Sequence, residues 1–154
     1  MRASLTALEA SARRGWWVGF LVCLGGPVLI LLSAWAGWIP PGSQPVEGVY
    51  QQVGYTFTGL VFLASAYLVW RKGHALRAFP AQAEGRQAGF VLRETLVYCA
   101  LCASSALWGV LYWRLVGWHA FRHALTFLLL TPVLFLLFVP RLGAWTHPPT
   151  EDTP

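Results

Sequence analysis

Apolar residues run almost unbroken through four stretches of this chain, and charged residues gather in the segments between them. The uncharged runs extend from Trp16 to Ile39, Val53 to Trp70, Leu96 to Trp113 and Ala124 to Val139. A helix needs about 20 such residues to cross the hydrocarbon core of a bilayer. Open strands cannot satisfy their backbone polar groups there, which leaves helices. The pattern therefore predicts an all-α integral membrane protein, a single four-helix bundle over the whole chain. The helices are expected over residues 16–39, 53–70, 93–114 and 121–139.

The segments between the runs set the expected topology. Arg2, Arg13, Arg14, Arg71, Lys72, Arg77, Arg86, Arg93 and Arg141 fall on one side if the four helices alternate, and only Arg114 and Arg122 on the other. The positive-inside rule then puts both termini in the cytoplasm, with short outer loops. Tryptophan agrees: Trp16, Trp17, Trp70 and Trp145 fall near the expected inner boundary, and Trp35, Trp38, Trp113 and Trp118 near the outer one. Amphipathic rings favour the headgroup level. Trp108 alone lies a turn inside the third helix. A bacterial cytoplasmic (inner) membrane is the location this topology suggests.

The connections are read from their turn residues and charge. Pro40-Pro41-Gly42-Ser43-Gln44-Pro45 is an outer turn, since proline and glycine punctuate helices. Arg71 to Arg93 reads as a basic inner loop broken by Pro80 and Gly85, a solvated collar against anionic headgroups. The proline-rich tail, residues 146–154, is expected to be disordered. A competing reading takes Ala34-Trp35-Ala36 as a signal-peptide cleavage site, which would leave three helices. The length of the first run and its Gly25-Gly26-Pro27 centre favour a retained helix.

Composition reinforces the membrane class: 56% of residues are apolar and 11% charged, against about 25% charged in soluble domains. The net charge of +5 is a topology signal, and no nucleic-acid partner is expected from it. The expected partners are the lipid bilayer and either another membrane protein or a second copy of the chain.

Two polar groups carry candidate chemistry. Cys99-x-x-Cys102 and Cys23 fall at similar depth in the inner half of the bilayer, because each helical residue rises about 1.5 Å. Three thiols at one level are a candidate soft metal site for copper(I), zinc or mercury, or a redox pair. The competing reading is packing. Gly15, Gly19, Cys23 and Pro27 recur every fourth residue, and Cys99, Cys102, Ala103 and Ala106 share a face of the third helix. Small residues line the seams where membrane helices approach closely.

The second group is His119, His123, Arg122 and Trp118, with Arg114 nearby, at the outer end of the fourth helix. If that helix starts before His119, the two imidazoles share a face as i and i+4 neighbours. They are candidates for a metal, with Glu47 the nearest acid, or for a quinone head or lipid phosphate with arginine as anion donor. The competing reading is interfacial anchoring. Haem is disfavoured because the helices expected over residues 16–39, 53–70 and 93–114 carry no histidine to complete bis-histidine ligation. No cofactor follows from these residues alone.

Within the runs, the ionisable inventory is nearly empty. Transporters of protons or cations keep acids inside their helices, and here only Glu94, beside Arg93, lies near a path, as an edge charge. There is no glycine-rich phosphate loop, zinc-protease helix or nucleophile elbow, and the one Asp, Asp152, sits in the tail. These features point to a non-catalytic accessory, assembly or stabilising subunit of a larger membrane complex. The alternatives are a thiol-dependent metal carrier or redox protein, and a quinone- or haem-binding electron-transfer subunit.

Overall fold

The computed structural model describes residues 2–43 and 48–146. Its elements are α1 (Arg2–Trp35), α2 (Val49–Ala78), α3 (Glu84–Val116), α4 (Phe121–Phe138) and a short α5 (Leu142–Thr146). Single 3-10 turns, Phe79–Ala81 and Gly117–Ala120, join α2 to α3 and α3 to α4. No strand occurs among the described residues. Each of α1 to α4 is long and apolar enough to cross a membrane. Glu47 and the tail beyond Thr146 lie outside the described residues.

The first three helices extend into the charged segments beside the apolar stretches that predicted them, although α1 stops at Trp35, short of Ile39. Charge ends a membrane-compatible run but does not end a helix, since Arg, Lys, Gln, Glu and Ala are all good helix formers. Thus α1 begins at Arg2, and the segment read as a basic loop from Arg71 to Arg93 is mostly helix. Pro80, which lacks a backbone donor, stops α2 in a 3-10 turn, and α3 starts within a few residues. The two helices form a tight hairpin. Gly85 sits in the first turn of α3 and interrupts nothing.

Inside a membrane the hydrophobic effect does not press helices together, so close packing and hydrogen bonds must do it. In α1 the buried stripe is Leu8, Ala12, Gly15, Gly19, Cys23 and Pro27, the small-residue ridge that the fourfold spacing foretold. A Cβ on Gly19 would collide with Cys99 Sγ and lie 2.8 Å from Phe135 Cε2, so this glycine is where α1 meets both α3 and α4. The hub is α3, which is buried on two sides. Val91, Tyr98, Cys102, Ser105, Tyr112 and Val116 are all at most 2% exposed. Ser105 Oγ donates to the Phe127 carbonyl at 2.8 Å, one turn before Pro132 breaks the ladder of α4. By contrast α2 packs chiefly against α3 and leans away from α4.

Because the helices alternate, the molecule has two ends. At the connection end, α1 closes in a Schellman arrangement, with Trp38 N donating to Ser33 O at 2.9 Å and Gly37 N to Ala34 O at 3.2 Å. Gly37 supplies the positive φ of 77° this cap requires. Residues 39–42 then dock on the end of α3. Trp113 Nε1 donates to Ile39 O (3.1 Å), Arg114 Nη1 to Pro40 O (2.9 Å), and Gly42 N to Trp113 O (3.2 Å).

At the terminal end, α5 folds back and buries Trp145 against Phe79 and Phe90, with ring centroids 5.3 and 6.3 Å away. The Arg141 guanidinium lies 5.8 Å from the Trp16 ring. Tryptophans at the helix ends therefore divide. Trp17, Trp35, Trp38, Trp70 and Trp118 are exposed, as interfacial anchors should be, but Trp113 and Trp145 are buried by tertiary packing. Trp108, the outlier in the sequence, packs at a tilt against Phe57 of α2, ring centroids 5.0 Å apart.

Candidate functional site

The three cysteines meet where α1 crosses α3, and all are buried. Helix geometry explains it: Cys23 continues the small ridge of α1, while Cys99 and Cys102, three apart, face the same seam. Cys23 Sγ lies 3.8 Å from the Cys99 carbonyl and donates to it, and Cys99 Sγ occupies the space left by Gly19. The thiols of Cys23 and Cys99 thus each have a packing partner, and Cys102 is fully buried beside them. Among the described residues no group of three or more His, Cys, Asp or Glu side chains is placed to hold a metal. The expected outcome of replacing Cys23, Cys99 and Cys102 together by alanine is unchanged metal content after exposure to zinc or copper(I), read by mass spectrometry of the washed protein. A drop from stoichiometric metal to none would restore the thiol-carrier reading.

The His, Arg and Trp group is split by the geometry. Here α4 begins at Phe121, so His119 belongs to the preceding 3-10 turn and not to the same helical face as His123. Trp118 packs edge-on against Trp113 at 4.9 Å and lines an apolar cavity of about 160 Å³ among α1, α3 and α4, together with Trp35, Ile39 and Phe121. His123 lies on the other flank of α4, its ring 6.0 Å from Tyr112, and lines the cleft toward α2. His119 and Arg122 are exposed. Arg114 is committed to the Pro40 carbonyl. Of this group, His123, itself exposed, is the one that lines the open cleft between α2 and α4.

An ion pair stands where an edge charge was expected. Glu94 is buried, and both its oxygens accept from Arg71: Nε to Oε2 and Nη2 to Oε1, each 2.9 Å. Arg71 Nη1 also donates to Tyr67 Oη at 3.1 Å. This bidentate fork is the strong form of the interaction, planar donors matching a planar carboxylate. It clips α2 to α3 at the terminal end of the molecule. One turn along α3, Tyr98 Oη is buried with no hydrogen-bond partner, as is Trp16 Nε1 across the core. The pairing is invisible in sequence, because Arg71 lies in a charged segment between apolar runs and Glu94 has Arg93 as its adjacent cation.

An open cleft of about 720 Å³ lies between α2 and α4. Both helices run from the connection end toward the terminal end, so their matching ends define a polar and an apolar half. Tyr50, Gln51, Tyr112, His123 and Thr126 line the first half, and Leu130, Val133, Leu134, Leu137 and Phe138 the second. Gly54 permits the narrow approach there: a Cβ on it would lie 3.1 Å from Tyr112 Oη. The Tyr112 hydroxyl donates to the Tyr50 carbonyl at 2.9 Å and ties α3 to the start of α2. In the polar half, Tyr50, Gln51, Tyr112 and Thr126 are not legible in the sequence as site residues, because nothing in the chain states which way α2 is turned relative to α4. No protein-family model, curated protein or solved structure matches the chain.

Proposed function

We propose that the chain is a non-catalytic integral membrane protein, an accessory, assembly or stabilising subunit of a larger complex. In this reading it resides in a bacterial cytoplasmic membrane with both termini in the cytoplasm, the orientation its arginines favour. The observation that supports the subunit role is the outer face of α2. Gln52, Thr56, Gly59, Leu63, Ala66, Trp70 and Gly73 follow alternate steps of four and three residues, and all are exposed. That is the spacing of a left-handed helix–helix seam. Small residues at Gly59, Ala66 and Gly73 would let a neighbouring backbone approach closely, as membrane seams require. Nothing lies within 4 Å of a Cβ placed on Gly59 or Gly73, so the face is unfilled by this chain.

The occupant this face fits is a transmembrane helix of a different protein. The test is mass spectrometry of whatever co-purifies with the native protein in a mild detergent. A stoichiometric set of membrane proteins is expected, and Gly59→Leu/Ala66→Leu should lose it while keeping the helical content of the wild type. Recovery of the chain alone, or of a homo-oligomer, would overturn the subunit role.

A further inference from the structure

We infer that the cleft between α2 and α4 is a binding site for an isoprenoid quinone, with the ring at the connection end and the tail along α4. Its volume, about 720 Å³, is that of an ordinary small-molecule site, for which roughly 300–1,000 Å³ is usual. Its shape is that of an amphiphile. From His123 to Phe138 the lining of α4 rises over roughly 22 Å at 1.5 Å per residue, and only the first part of that length is polar.

The head end selects the chemistry. None of the lining residues is Lys, Arg, Asp or Glu, so a phosphate head has no counter-charge and a cationic head no acid. What the head end offers is aromatic surface and hydrogen-bond donors. The His123 imidazole makes no hydrogen bond among the described residues, and its ring stands 6.0 Å from that of Tyr112. Gln51 Nε2 donates to Tyr50 Oη at 3.3 Å, which leaves the Tyr50 proton and the second amide proton of Gln51 to donate elsewhere. Three aliphatic hydroxyls of the lining are committed to carbonyls, Thr58 to Gly54, Thr126 to Arg122 and Ser65 to Val61, at 2.8, 2.9 and 2.8 Å, while Tyr55 Oη, also in the lining, makes no hydrogen bond among the described residues. A flat, neutral ring with two carbonyl acceptors uses the free donors and stacks among the aromatic rings. Beyond it, Val133, Leu134 and Leu137 match a branched apolar chain. The cleft opens toward the lipid, the phase in which such a molecule dissolves.

The experiment is solvent extraction of the purified native protein, with quinone and phospholipid quantified by ultraviolet absorbance and mass spectrometry. A decyl-tailed benzoquinone is then titrated into the washed protein. About one saturable quinone site per chain is expected. His123→Phe keeps the ring's bulk and removes a donor, and should weaken binding roughly five- to tenfold, the scale of one net hydrogen bond. Val133→Trp fills the tail half and should weaken it without touching the head. His119→Phe, outside the cleft, should bind as the wild type does. Phospholipid alone with no saturable quinone binding would overturn the site, as would equal binding by His123→Phe and Val133→Trp. If His123→Phe does not fold, Val133→Trp decides. The site stands or falls independently of the subunit role, which is read from partner proteins.

Discussion

Arg71→Met is expected to destabilise the protein by about 3–5 kcal/mol, the usual result of stripping one partner from a buried ion pair. The loss is asymmetric. Arg71 keeps 24% of its side-chain surface exposed and Glu94 only 6%. An orphaned Glu94 is therefore a carboxylate sealed among apolar groups, with Tyr98 beside it in the core. An orphaned Arg71 retains the Tyr67 hydroxyl and a route by which its long stem can carry the charge to water. Glu94→Gln should consequently cost only about 1–2 kcal/mol, the scale of weakened charge-assisted hydrogen bonds. The double variant Arg71→Met/Glu94→Leu should recover to within about 1 kcal/mol of wild type, because two apolar side chains leave no charge to desolvate. Unfolding of each variant in mixed micelles of increasing sodium dodecyl sulfate, followed by circular dichroism, measures these differences. Equal losses in the two single variants, with no recovery in the double, would mean that the pair does not act as a buried unit.

Gly117→Ala is expected to cost about 2–4 kcal/mol, combining backbone strain with a collision. Gly117 ends α3 with φ 73° and ψ −150°, a conformation essentially reserved for glycine. A Cβ there would strike the Gly42 carbonyl, while a Cβ on Gly42 would strike that of Arg114. Both obstacles are backbone, so no side-chain rotation relieves them. The connection after α1 would have to lift off α3, and the contacts from Trp113 to Ile39 and from Arg114 to Pro40 would go with it. Gly89→Ala, at an open position inside α3, is the control and should be neutral or stabilising by up to about 1 kcal/mol, the helix preference of alanine. The same micelle titration compares them. A neutral Gly117→Ala would show that the connection is not held against α3.

Both effects depend on positions whose importance could not be read along the chain. The hydropathy runs locate all four helices but not their ends, because a charged segment can continue a helix. Arg71 shows the consequence: placed in a connection, it could not be matched to an acid 23 residues away. The fourfold recurrence of Gly15, Gly19, Cys23 and Pro27 correctly marked the buried face of α1, since a small-residue ridge is itself a packing signal. For His119 and His123, a shared face required a helix starting before His119; α4 starts at Phe121 after a 3-10 turn, and of the two only His123 lines the cleft.

What the sequence determined by itself was the class of molecule, four apolar helices long enough for a membrane, and the seam on which α1 packs. Those follow from the length of uncharged runs and from side-chain size, which are properties of one segment at a time. Only the tertiary structure decided that α3 is the hub, that Arg71 grips Glu94, and that α2 stands off α4 to leave a cleft. In a soluble helix an apolar stripe shows which way to turn it. In a membrane helix the lipid-facing side is as apolar as the core, so the rotation of each helix is settled by close contacts and hydrogen bonds between residues far apart in the chain.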